Sequence, residues 1–266
     1  MIKVLVCGFC GRMGSQVVRA VSAQDDMVVV GGYDPAATSE MIELDGRALA
    51  PAYRDLHEAL REAGADVLVD FTSPSSVEGN LRIAMPTGID CVIGTSGLSP
   101  EKYAELVTLA PETATLFHAP NFTIGAVLMM EFAKKAAPYF PDAEVIEFHH
   151  NGKKDAPSGT AVSTARSIAK ARKEAGITSK APGSETEIGG FAGARGAMAD
   201  GVPIHSVRSD GYVAHQEVLF GSAGQTLTIR HDSIDRASYM PGVLLAIRKV
   251  GGLSGLIIGL ENLLDL

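Results

Sequence analysis

A chain of 266 residues that is 46% hydrophobic can bury a sizeable core, and its length suits one large domain or two interlocked ones; two are expected. Its formal net charge of -8 excludes wide contact with nucleic acid, which needs clustered Lys and Arg against phosphates, so the expected partners are small molecules. No apolar run approaches the ~20 residues of a membrane span, and the opening MIKVLV is too short for a signal-peptide core, so no membrane partner and a cytoplasmic location are expected.

Over roughly the first 120 residues, short β-branched runs alternate with amphipathic stretches, as in doubly wound α/β folds. IKVLVC (2–7) reads as a strand and SQVVRAVSAQ (15–24) as a helix. MVVVGGYD (27–34), ADVLVDFT (65–72), CVIGTS (91–96) and ATLFHAPN (114–121) read as further strands. These runs are apolar on both sides of the alternation, which suits a parallel sheet covered by helices on both faces. After Asn121 the rhythm changes. A long helix (123–140) leads to a strand (143–150), a helix (about 160–175) and a loop rich in Gly, Ala and Ser (179–201). Strand-like runs at 203–210, 212–222 and 225–233, joined by turns containing Gly211 and Gly224, predict an antiparallel meander. A last helix (237–250) and an apolar tail are expected to return to the first domain. The predicted fold class is therefore α/β: a Rossmann-like doubly wound parallel sheet plus a second α+β domain with a mixed or antiparallel sheet. Residues 1–122 and 237–266 would form the dinucleotide-binding domain, and residues 123–236 the substrate-binding and oligomerisation domain.

Gly8, Gly11 and Gly14 make a glycine-rich turn between the first strand and the first helix, where bare backbone can approach a pyrophosphate and helix-start N–H groups can bind it. Twenty residues beyond Gly14, Asp34 ends the second strand, where a carboxylate accepts hydrogen bonds from an adenosine ribose. The same acid repels a 2′-phosphate and so favours NADH over NADPH, with Arg12 offsetting part of the repulsion. Gly94, Thr95 and Ser96, and the backbone from Ala119 to Phe122, end two later strands on the same edge and are placed to touch the nicotinamide half. The competing readings are that these glycines only pack a helix against a sheet and that the later segments are ordinary turns. Cys7 and Cys10 also form a C-x-x-C with a redox reading, which would leave the glycines without a purpose.

The stretch EFHHNGKKDAPSGTA (147–161) packs two histidines, two lysines and a turn into the start of a helix. Neighbouring strand residues point opposite ways, so His149 and His150 cannot both be core. Lys153 and Lys154 add positive charge. Ser158 or Thr160 can cap the helix, whose first N–H groups suit a carboxylate. Together they describe a site for a dianionic substrate with a proton donor. A satisfied strand-end histidine, a zinc site and a solvated basic loop compete with this. No ligand spacing supports zinc, so no metal is expected.

That stretch closely resembles the E-x-H-H-x-x-K-x-D-A-P-S-G-T-A signature of the dihydrodipicolinate reductase family, also called 4-hydroxy-tetrahydrodipicolinate reductases, and GRMG, DFTSP, GTSG and APNFTIG follow in the family's order. The resemblance implies NAD(P)H-dependent reduction of 4-hydroxy-tetrahydrodipicolinate, with loss of water, in lysine (diaminopimelate) biosynthesis. By resemblance His149 becomes the acid/base, Lys153 the proton donor, and His150, Gly159 and Thr160 the holders of substrate carboxylates. It also implies cofactor contacts at Gly8, Phe9, Cys10, Gly11, Arg12, Met13, Asp34, Gly94, Thr95, Ser96, Ala119, Pro120, Asn121 and Phe122, and a homotetramer built through the second domain's sheets. Phe9 stands where the family usually has a small residue, so its side chain must point away from the pyrophosphate. Asp34 is followed by Pro35 rather than by a basic residue, so NADH is the expected preferred cofactor, with NADPH second. The alternatives are another NAD(P)-dependent dehydrogenase of a small carboxylate and a non-enzymatic NADH-sensing protein.

Overall fold

The computed structural model of the chain describes residues 1–177 and 190–266. In chain order the elements are β1 (Ile2–Cys7), α1 (Arg12–Ser22), β2 (Met27–Tyr33), β3 (Met41–Leu44), β4 (Arg47–Tyr53), α2 (Leu56–Glu62), β5 (Val67–Asp70), α3 (Val77–Ala84), β6 (Asp90–Ile93), α4 (Pro100–Val107), β7 (Thr115–His118) and α5 (Ile124–Ala136). They continue as β8 (Asp142–His149), α6 (Gly159–Glu174), β9 (Ala197–Ala199), β10 (Val202–Arg208), β11 (Ala214–Ser222), β12 (Gln225–Ser233), α7 (Met240–Val250) and β13 (Gly255–Ile258). The chain divides into two units, Met1–Ile124 with Arg236–Leu266, and Gly125–Asp235.

The first unit is built on an eight-stranded sheet in the order β13-β7-β6-β5-β1-β2-β4-β3. Every pairing is parallel except β3 with β4. Val4 to Cys7 and Val67 to Asp70 are buried at every position, because helices cover both faces. Leu5, Leu68, Ile93 and Leu116 from the strands pack with Leu81, Tyr103 and Leu106 from the helices into one core. Strand order reverses beside β1: the chain runs outward through β2 to β4 and β3, then returns to β5 on the other side. The crevice outside the carboxyl ends of β1 and β5 is the switch point at which open α/β sheets bind ligands. The hairpin of β3 and β4 is an addition to the predicted elements. Its signal was present at Asp45-Gly46, two residues of positive φ (51° and 76°) that suit a two-residue hairpin turn.

The second unit carries a five-stranded mixed sheet in the order β12-β11-β8-β10-β9. β8 lies at its centre, antiparallel to β11 and parallel to β10. This corrects the predicted meander. Of the three predicted strands only β11 and β12 form a hairpin with each other, whereas β10 and β11 lie on opposite sides of β8. The physical reason is that β8 buries alternate residues and needs a partner on each edge. Its parallel partner is reached only by a crossover, which α6 supplies. Two further corrections concern boundaries. The predicted helix over 123–140 gives way after Ala136 to a 3₁₀ turn, Ala137–Tyr139, because Pro138 cannot continue it. Within the predicted 179–201 loop, residues 179–189 lie outside the described residues, and Ala197–Ala199 form β9 against β10.

α6 lays Ala161, Ala165 and Ile168 against Val145, Ile204, Val218 and Phe220 of the sheet, all of them buried. Replacing the fully buried Ile168 by Ala leaves a cavity under β8 and β10. The change is expected to destabilise the chain by about 2–5 kcal/mol, read as a lower urea midpoint.

Candidate active site

Parallel register brings the ends of the first unit's strands to one edge. Cys7 pairs with Tyr33 and Asp70, Asp70 with Ile93, and Ile93 with His118. The segments that follow, from Gly8, Asp34, Gly94 and Ala119, therefore share the carboxyl side of the sheet. Gly8 has a φ of +81°, and a Cβ there would stand 2.7 Å from the Phe71 carbonyl oxygen. A Cβ on Gly14 would collide with the backbone of Gly8 and Phe9. The glycines thus draw the turn tight against both β5 and α1. Gly11 caps α1 without a side chain, which leaves the Arg12 and Met13 N–H groups open to an anion. This turn fits a dinucleotide pyrophosphate.

Phe9 lays its ring over Gly32 of β2, beside Ile42 of β3; a Cβ at position 32 would come within 2.7 Å of the ring. The bulky residue is accommodated because β2 is bare there. Asp34 accepts hydrogen bonds from the backbone N–H of Cys10 (3.2 Å) and Ala36 (2.9 Å), so it braces the turn and still keeps acceptor capacity. Cys7 is buried and Cys10 exposed, and burial first, then nearby Asp70 or Asp34, pushes each thiol's pKa up. A redox pair requires the opposite shift.

Asp70, fully buried at the end of β5, organises the β5–β6 side of this edge. Its Oδ1 accepts from the Thr95 hydroxyl (2.6 Å), the Thr72 hydroxyl (2.7 Å) and the Thr72 N–H (3.0 Å), and its Oδ2 from the Asn80 amide (2.8 Å). Thr95 is consequently buried and its hydroxyl committed to Asp70, while Ser96 is exposed. Ala119 and Phe122 are also core residues, and Phe122 packs on Phe71 and Phe117. Pro120 is exposed, and Asn121 holds the Thr123 N–H at 2.9 Å. At these positions only backbone and the intervening residues face a ligand.

In the second unit the site gathers at the carboxyl end of β8. Glu147 and His149, two apart on the strand, share a face. The Glu147 carboxylate has no exposed surface and accepts a hydrogen bond from His149 Nδ1. Arg208, at the end of β10, clasps it with both Nη atoms at 2.8 Å, and the Ser158 N–H adds a contact at 3.3 Å. Arg208 also donates to the carbonyls of Val207 and Asp155, so one guanidinium ties two strand ends to the 150–158 loop. In that loop Lys153 pairs with Asp155 at 2.8 Å and His150 is exposed. Ser158, rather than Thr160, caps α6 by accepting from the Ala161 N–H at 3.2 Å. The Gly159 and Thr160 N–H groups at the first turn have no acceptor among the described residues. Residues 209–213 pass over the end of β8, because Arg208 and Ala214 both sit beside His149 in register. The sequence reading assigned no role to Glu147, Arg208 or Asp70. The strand parity of Glu147 and His149 was a usable signal for the first; nothing local pointed to the other two.

Burial lowers the pKa of His149, against the upward pull of Glu147, and the charges of Lys153 and Arg208 lower it further. The balance favours the neutral imidazole. Burial alone would raise Glu147, but hydrogen bonds from Arg208, Ser206 and His149 prevail and hold it below the ordinary carboxylate range. Both shifts act in one direction. The folded state resists protonation at each group, so stability falls as pH drops below about 6.5 for the histidine and further down for the carboxylate.

A parallel sheet with a pyrophosphate-shaped first turn, in one chain with a unit that offers a neutral histidine, a lysine and an open helix start, defines a two-domain oxidoreductase of the nucleotide-dependent, Rossmann type. Residues 2–122 match the family described as "Dihydrodipicolinate reductase, N-terminus" and residues 125–264 that described as "Dihydrodipicolinate reductase, C-terminus". The chain belongs to the dihydrodipicolinate reductase family. It is 47% identical over 268 residues to a 4-hydroxy-tetrahydrodipicolinate reductase of Streptomyces avermitilis, spanning 100% of this chain and 98% of that one. With the enzyme of the same name from Listeria welshimeri it shares 48% identity over 270 residues, 99% and 100% of the two chains. A dipicolinate-bound dihydrodipicolinate reductase from Paenisporosarcina sp. TG-14 superimposes with a TM-score of 0.88 at 40% identity, covering 99% of this chain and 100% of that one. The family makes this chain an NAD(P)H-dependent oxidoreductase. Among the described residues no helix is long and apolar enough to cross a membrane.

Replacing Glu147 by Gln leaves the half-buried Arg208 guanidinium without its counter-charge and removes the upward pull on His149. The expected result is a loss of about 3–5 kcal/mol of stability, measured by urea denaturation, together with a shift of the acid limb of the kcat/KM profile to lower pH.

Proposed function

We propose that this chain reduces 4-hydroxy-tetrahydrodipicolinate to tetrahydrodipicolinate, with loss of water, in lysine (diaminopimelate) biosynthesis. The observation that carries the reading is the buried Glu147 carboxylate, which fixes His149 beside Lys153 and the open first turn of α6. Bound NAD(P)H supplies the hydride. The chain's own residues bind the ring and manage protons. Lys153 donates a proton to the negative charge that develops on the substrate. His149, with Nδ1 engaged by Glu147, presents Nε2 as acid/base. His150 and the Gly159 and Thr160 N–H groups hold the two carboxylates. That the Paenisporosarcina relative binds dipicolinate, a ring diacid, supports this division.

For the cofactor, Gly8, Phe9, Cys10, Gly11, Arg12 and Met13 serve the pyrophosphate through backbone, and Asp34 serves the adenosine ribose. Gly94, Thr95, Ser96 and Ala119 to Phe122 serve the nicotinamide half, with Pro120 exposed and Asn121 half-buried in the last segment. Asp34 makes NADH the preferred cofactor and NADPH the second, by repulsion of a 2′-phosphate. We also infer that the second unit is the substrate and oligomerisation domain, assembling a homotetramer through its five-stranded sheet, and that the enzyme works in the cytoplasm.

The decisive assay follows NADH oxidation in the presence of freshly made dihydrodipicolinate synthase product, with pyridine-2,6-dicarboxylate expected to inhibit competitively. Absence of turnover with this substrate would remove the assignment. Lys153→Ala is expected to lower kcat by about 10²–10⁴-fold, as for a lost general acid, and wild-type kcat in the mutant would exclude Lys153 from the mechanism. Steady-state kinetics should give the higher kcat/KM with NADH.

A further inference from the structure

β4 is the parallel neighbour of β2, with Tyr53 paired to Tyr33 and the Asp34 N–H bonded to the Tyr53 carbonyl at 3.0 Å. Arg54, the residue just after β4, therefore stands beside Asp34, one strand spacing of ~4.8 Å away along the sheet edge. No sequence spacing reveals this, since nineteen residues, the β3–β4 hairpin among them, intervene. Asp34 opens a tight turn: the Ala37 N–H returns to the Asp34 carbonyl at 3.0 Å, and the Asp34 carboxylate holds the Ala36 N–H at 2.9 Å. Arg54 closes the other side of the turn by donating Nε to the Ala37 carbonyl at 2.5 Å. That bond fixes the plane of the guanidinium. Its two terminal nitrogens are left with no acceptor and no carboxylate partner among the described residues, on an exposed side chain.

An arginine anchored through Nε, with both Nη atoms open, is arranged for bidentate binding of a phosphate. The Asp34 carboxylate beside it is the group assigned to the adenosine ribose. Resting on the dinucleotide reading above, we propose that Arg54 is a specificity residue that binds the 2′-phosphate of NADPH and so offsets the repulsion from Asp34. The basic residue that Pro35 replaces in the chain is supplied from the next strand. Acceptance of NADPH as second cofactor is then a property of β4, and the discrimination between the two cofactors is a contest between an acid at the end of β2 and a base at the end of β4.

The test compares wild type, Arg54→Ala and Arg12→Ala. Steady-state kinetics give the ratio of kcat/KM for NADPH to that for NADH. Calorimetry on the ligand-free protein gives affinities for adenosine 2′,5′-bisphosphate and 5′-AMP, which differ only in the 2′-phosphate. Arg54→Ala is expected to lower the NADPH to NADH ratio by about tenfold or more, the worth of one charge-assisted phosphate contact, and to weaken binding of the bisphosphate by a similar factor while leaving 5′-AMP affinity unchanged. An unchanged ratio, an equal loss with both cofactors, or a ratio that collapses only in Arg12→Ala would overturn the assignment of Arg54. Failure of wild type to bind NADH, NADPH or 5′-AMP would instead bring down the dinucleotide reading itself, and this proposal with it.

Discussion

The Glu147 carboxylate is removed from water on every side, and a buried negative charge persists only if its surroundings replace the lost hydration. Arg208 does so with two parallel hydrogen bonds, the Ser158 N–H with a third, and the His149 imidazole with a fourth. Each of these partners belongs to a different part of the second unit: the end of β10, the start of α6 and the end of β8. One acid therefore decides where three elements meet. An imidazole held in this way has one tautomer and one orientation, which is what acid/base chemistry asks of it. The downward shift of the histidine follows from the same burial that makes the carboxylate dependent on its arginine.

The first unit solves a similar problem with different chemistry. Asp70 is also buried at the carboxyl end of a strand, but its partners are hydroxyls, an amide and a backbone N–H rather than a guanidinium. It links the loop after β5, the loop after β6 and the start of α3. Because the Thr95 hydroxyl is spent on this link, only the backbone and Ser96 of the 94–96 segment are left open. In both units the strands bring segments to a common edge, and a single sheltered acid then sets their spacing.

The parallel sheet, its glycine turn and the acid at the end of β2 were legible because each leaves a local trace: apolar runs on both faces, glycines at a strand-helix junction and a carboxylate at the right interval. The histidine-lysine stretch was legible as one segment. What escaped was the part of the site made by pairing. Arg208 reaches Glu147 only because β10 lies parallel to β8 through a crossover, and the expected meander placed β10 elsewhere. Asp70 acquires its partners from residues up to 25 positions away, and no period in the sequence marks them. The β3–β4 hairpin was overlooked because its strands hold few β-branched residues, although Asp45-Gly46 announced the turn. Side chains that act through strand register are invisible until the register is known.

Asp34 has two duties that pull against each other in any attempt at redesign. Its oxygens hold the Cys10 and Ala36 amides, so it maintains the shape of the glycine turn as well as serving the ribose proposed for it. Truncating it to widen coenzyme choice would slacken the glycine turn that it braces, so a change in preference would come with a looser loop. A protein engineer retuning this enzyme has a freer handle in side chains that border the pocket without bracing it.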